Sequence, residues 1–238
     1  MHGVIASHLP CTSDSRDADV YSLQSLLATA SPNDLADEFC LGMTPLQFAA
    51  KTNGATIPTL LDAGCDPHLP HVATGTTPLM FAARSGEIGA VTALLAALRG
   101  DAVDAVDEHG STALGLCSLT CNAKVAGILI AAGADIFKPD ASGNTALHVG
   151  AFYCTELSGS AFADLLLKQD SLSTLKYIDT MSKYGRTALM LAAKQGNAGY
   201  YASLLLAGAD ESLVSDYDQK SVEDFRMEYQ HRQDRLGL

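Results

Sequence analysis

The sequence predicts an all-α solenoid of stacked helix-turn-helix units, and three observations predict it. A short motif recurs five times, a second motif follows it at a steady distance, and little sequence lies outside the two. A repeat period near 33 residues marks units that bury their apolar faces only by stacking on one another.

The first motif reads GMTPLQFAA at 42–50 and GTTPLMFAA at 75–83, with shorter copies GSTAL at 110–114, GNTALH at 143–148 and GRTALMLAA at 185–193. Its threonines stand at 44, 77, 112, 145 and 187, so the spacings are 33, 35, 33 and 42. Threonine is a good N-cap, and proline suits the first helical position because its missing N–H has no partner there anyway. Leucine and paired alanines then let neighbouring helices approach closely. The second motif is a leucine-rich patch ending in glycine, a small residue and aspartate: LLDAGCD at 60–66, ILIAAGAD at 128–135 and LLLAGAD at 204–210. Its glycine supplies a left-handed C-cap. In the second copy Leu94-Leu95 is followed by the drifted ending Gly100-Asp101, and in the fourth Leu165-Leu166-Leu167 ends without the glycine.

In chain order, 1–16 is expected to be flexible and 17–38 to form an amphipathic half-repeat cap around Tyr21, Leu23, Leu26 and Leu27. Five repeats follow at 39–71, 72–106, 107–139, 140–181 and 182–215. A degenerate C-terminal cap spans 216–229, where Gln219 replaces the turn glycine, Ser221 and Asp224 make a variant capping box, and Val222, Phe225 and Tyr229 share a helical face. A polar tail, 230–238, closes the chain. The fourth interval is nine residues too long; alignment puts about four of them near 155–160 and about five within 170–180, where loops absorb insertions at small cost.

These motifs resemble the ankyrin repeat over about 18–229, nearly the whole chain. The resemblance implies a turn, a helix opened by Thr-Pro-Leu-His, a second helix, and a β-hairpin loop to the next unit. It also implies a protein-protein interaction module: an adaptor, assembly factor or inhibitor. His148, in the Thr-Ala-Leu-His copy, is then expected to be structural.

Composition narrows the function. Hydrophobic residues make up 47% and charged residues 18%, which suits a packed core rather than disorder. A net charge of -12 repels phosphate backbones and anionic membranes. No apolar run approaches the roughly 18 residues of a membrane span. The opening residues lack a basic stretch followed by an apolar one, so a cytoplasmic or nuclear chain is expected. No phosphate loop, dinucleotide fingerprint, nucleophile elbow or His-Glu-x-x-His motif occurs, so neither catalysis nor a cofactor is expected.

Two cysteine groups have residue types that suit metal or redox sites. Cys65, His68 and His71 have ligand-like spacing, yet Cys65 fills the small position of the second motif and loop histidines are commonly solvated. Cys117 and Cys121 share a helical face, and Cys121 and Cys154 replace the same glycine in adjacent repeats. One repeat is roughly 10 Å, too far for a disulfide, so buried free thiols and no metal are expected.

In ankyrin domains partners meet the hairpin tips and the concave face of the first helices. The resemblance therefore marks positions four, three and one before each threonine and seven and eight after it. Those twenty-five residues hold five basic side chains and one acidic, against a chain at -12. The expected contacts are Met43, Lys51, Arg84, Leu119, Phe152, Tyr153, Tyr184, Arg186 and Lys194. Exposed aromatics beside cations suit another protein that offers an acidic or phosphorylated segment with an apolar anchor. The chain is expected to be a monomer when free. The rival reading is an architectural subunit, recognisable by extra apolar surface on the outer helices.

Overall fold

The computed structural model describes residues 42–52, 54–99, 102–168 and 176–236. The segments 1–16 and 17–38, and 169–175 within the second insertion, lie outside the described residues. Eleven α-helices follow among the described residues: α1 Pro45–Thr52, α2 Ile57–Asp62, α3 Pro78–Ser85, α4 Ile88–Leu98, α5 Ala113–Ser118, α6 Ala123–Ala131, α7 Ala146–Tyr153, α8 Glu156–Leu167, α9 Ala188–Gln195, α10 Ala198–Leu206 and α11 Val222–Leu236.

Each inner helix, α1, α3, α5, α7 and α9, starts one residue after a repeated threonine. The hydroxyls of Thr44, Thr77, Thr112 and Thr187 accept the N–H three residues on, at 3.3, 3.3, 3.1 and 3.3 Å. These bonds satisfy donors that the first helical turn leaves open. Inner helix packs on inner helix from α1 through α3, α5, α7 and α9 to α11, and outer on outer from α2 through α4, α6 and α8 to α10. The leucines of the first motif, Leu46, Leu79, Leu114, Leu147 and Leu189, sit between these layers at 1% exposure or less. So do Leu60, Leu94, Leu129, Leu166 and Leu204 of the outer layer. The core is thus one continuous seam, and no unit owns a private part of it.

Hairpin loops join the units. His71 N–H donates to Thr76 O at 2.9 Å, Asp107 to Ser111 O at 3.1 Å, Asp140 to Asn144 O at 2.9 Å and Ser182 to Arg186 O at 3.0 Å. Among the described residues extended pairing stays at the level of isolated bridges, such as Val214–Ser221 in the last loop. Successive tips are also tied together, by Glu108 N–H to Thr74 O at 3.0 Å, Ala141 to His109 O at 2.8 Å and Lys183 to Ser142 O at 2.9 Å.

Two elements differ from the sequence reading. The insertion near 155–160 does not bulge as a loop. It adds a turn to α8, which has 12 residues where α6 and α10 have 9. Thr155 stands in extended backbone before it, and its carbonyl accepts the N–H groups of Ser158 and Gly159 at 3.2 and 2.8 Å, so the added residues close a helical turn at once. At the other end α11 runs on to Leu236, and the polar residues from Gln230 continue the helix. Ser221 and Asp224 start it reciprocally: Ser221 N–H donates to the Asp224 carboxylate at 2.9 Å, and Asp224 N–H to the Ser221 hydroxyl at 3.2 Å.

Candidate functional site

The face built by the ends of the inner helices and the hairpin tips carries most of the expected contacts. Lys51 and Arg84 are exposed in the last turns of α1 and α3. Leu119, the residue that ends α5, is half-buried. Phe152 and Tyr153 finish α7 at 39% and 56% exposure, and their rings meet edge-to-face with centroids 4.9 Å apart. That arrangement suits the aromatic quadrupoles and presents a stiff apolar surface. Tyr184 stands on the hairpin closed by Ser182 and Arg186, at 55% exposure. Lys194, in the last turn of α9, is half-buried with its ammonium 6.0 Å from the Phe225 ring centre. Burial, and then the neighbouring Arg186 cation, lower its pKa.

Two expected contacts are corrected. Met43 is 3% exposed and belongs to the core. Arg186 is occupied: it donates to the Asp218 carboxylate at 3.0 Å, and its guanidinium lies 5.5 Å from the Phe225 ring centre. Both residues directly precede a repeat threonine, and the other residues in that slot, Thr76, Ser111 and Asn144, are half-buried too. Several of their carbonyls close the hairpin. The slot therefore lies against the next unit and not in solvent.

The cysteines need a larger correction. Cys121 and Cys154 form a disulfide, with Cα atoms 5.5 Å apart. The 10 Å spacing holds for helix axes, but these residues sit in turns. Cys121 has φ 53, in the left-handed region where Gly86 and Gly196 sit in their repeats; Cys154 is extended at φ -66, ψ 143. Equivalent positions thus leave their helices in different directions and converge. The bridge lies next to Tyr153 in the chain. Cys65 and Cys117 are free and buried, and burial pushes their thiols up to about 11 and about 12. His68 is exposed, and the His71 ring lies 3.1 Å from the Thr74 hydroxyl. Among the described residues no three acidic, histidine or cysteine side chains converge as metal ligands.

His148 proves to be a strut. Its Nδ1 accepts the Thr145 N–H at 3.3 Å, and its Nε2 lies 3.1 Å from Arg186 O, in the next repeat. Sequence reasoning missed Tyr217, 76% exposed on the last hairpin. Its offset of 33 from Tyr184 was the available signal.

No helix among the described residues is long and apolar enough to cross a membrane. No curated protein matches the chain. Family models for ankyrin repeats do match: a model of three ankyrin-repeat copies over residues 14–98 and 53–140, and a single-repeat model over 184–216. Together they span more than half of the sequence. Between them lies the fourth repeat, with its lengthened outer helix and its cysteine in the turn. Repeated motif, stacked helix pairs, tied hairpins and family models agree, and the chain belongs to the ankyrin-repeat family.

Proposed function

We propose that this chain is a stand-alone interaction module, an adaptor, assembly factor or inhibitor, that holds a segment of another protein along its concave face. Ankyrin repeats are generally protein-protein interaction modules. The observation that carries the reading is the exposed Phe152–Tyr153 pair on a face that also displays Lys51, Arg84 and Lys194. A partner segment with an acidic or phosphorylated stretch and an apolar anchor fits both. The cations set orientation and association rate, while the aromatics slow release. The expected compartment is the cytoplasm or nucleus; both keep thiols reduced, so the Cys121–Cys154 bridge counts against that placement and favours an oxidising compartment.

Surface-plasmon kinetics on a partner recovered by affinity purification test this. Phe152→Ala should cost at least about 2 kcal/mol, mainly through faster dissociation. Lys51→Ala with Arg84→Ala should slow association and flatten its salt dependence. Arg186 is a poor probe, because its loss leaves the half-buried Asp218 without its cation. If wild type and all three substitutions bind alike, the partner uses another face.

A further inference from the structure

The outer helices carry a positional regularity that fails once. Three residues before the buried outer leucines Leu60, Leu94, Leu129, Leu166 and Leu204 stand Ile57, Val91, Ala126, Ala163 and Tyr201. The first four are 0% exposed, and each of their helices packs against the outer helix of the next repeat. Tyr201, on α10, is left partly open, with its hydroxyl donating to Glu211 and the Arg226 guanidinium 5.9 Å from its ring centre. Among the described residues no outer helix follows α10. α11 packs on α9 instead, and its Tyr229 sits so close to Gly196 that a Cβ there would meet the ring at 2.1 Å. A groove of about 650 Å³ remains between α10 and α11. Ala198, Tyr201, Leu205 and Met227 line it, with Glu211 and Glu223 among its charged groups. Leu206, next to Leu205 in the chain, is 90% exposed. The last unit of a soluble solenoid ordinarily turns a polar face outward. Here leucine, tyrosine and methionine stand there.

We infer that this groove is a docking site for an amphipathic α-helix of a partner protein, which takes the place of a sixth outer helix. The stack itself argues for a helix, because the corresponding face of every earlier outer helix is covered by one. A helix laid in a groove presents anchors at i, i+3 or i+4, and i+7. Its buried face must be small opposite the Tyr201 ring and apolar opposite Leu205 and Met227. Its flank is basic: Arg226 is paired with Glu223 at 2.9 Å and Glu211 accepts from the Tyr201 hydroxyl, so the groove keeps an excess of negative charge, and the chain as a whole stands at -12. This surface is distinct from the concave face, so either reading can fail alone.

The probe is a fluorescein-labelled, stapled helical peptide of about four turns, with alanine and leucine on one face and lysine on its flanks. Fluorescence anisotropy against the full chain should show saturable binding. Met227→Lys and Ala198→Lys place cations on opposite walls at exposed positions that the fold tolerates, and each should weaken binding of the lysine-flanked peptide about tenfold or more. A peptide with glutamate flanks should bind more weakly than the lysine version. Phe152→Ala should leave binding unchanged, which separates this site from the concave face. Binding that never saturates, or that both wall variants retain while their melting curves match wild type, overturns the inference. So does sedimentation showing a wild-type dimer that Met227→Lys dissolves, because the occupant is then a second copy.

Discussion

Three residues into each inner helix the same slot is filled by Gln47, Met80, Gly115, His148 and Met190, and two of these show the job that the slot performs. Gln47 accepts the Thr44 N–H at 3.0 Å and donates to Leu69 O at 2.8 Å. His148 makes the same two links with its ring nitrogens, which requires a neutral imidazole whose Nε2–H donates to Arg186 O. Burial lowers its pKa below the ordinary 6.5, although the Arg186 carbonyl pulls the other way. A depressed histidine costs nothing above 6.5, where both states are neutral. As pH falls below that value the unfolded chain takes up a proton that the folded chain refuses, so stability drops. Urea titrations across this window should show the decline, and His148→Gln should remove that share of it. Leu79→Ala should cost about 2–5 kcal/mol by leaving a cavity, whereas Glu108→Ala on an exposed tip should change stability by less than about 0.5 kcal/mol. Equal urea midpoints for these two would show that the repeat register is wrong. The threonine caps and buried leucines were legible because residue type and spacing determine them together. Met43 and Arg186 were not, because the slot before each threonine folds inward through hairpin pairing that no residue type announces.

Between helices the picture is set by turns, and turns are where sequence spacing misled. The insertion near 155–160 became helix because Thr155 starts α8 at the same offset from its repeat threonine as Asn122 and Asn197 start α6 and α10, and the added residues lengthen the helix itself, a choice invisible to a count of residues between motifs. The disulfide escaped for a related reason: Cys121 and Cys154 are equivalent in sequence and unlike in backbone. Their bridge closes a loop with a sequence separation of 33 across the joint between the third and fourth repeats. A cross-link of that span is worth about 3–4 kcal/mol in chain entropy. Urea unfolding with and without a dithiol reductant should differ by about this amount, and Cys154→Ser should unfold alike in both. An unchanged wild-type midpoint on reduction would mean that the thiols were never joined.

Over the whole molecule the architecture was readable from the repeat alone, while the site was readable only as a face. Counting from each threonine found Phe152, Tyr153, Lys51 and Arg84 on the surface, since the stack presents equivalent positions side by side. The open groove at α10 could not be found in this way. It depends on α11 turning away from the outer layer, which only the three-dimensional stack reveals. The tied tips and the shared seam of leucines also make the array an elastic body, each unit bearing on its neighbours, and the disulfide makes one joint of that spring inextensible. Pulled from its ends, the oxidised chain hides the residues between Cys121 and Cys154 from the applied force. Their separation of 33 corresponds to about 110 Å of contour at full extension. Single-molecule stretching should therefore give a final length shorter by about that amount than the reduced protein reaches, a ruler mark that locates the bridge without chemical labelling.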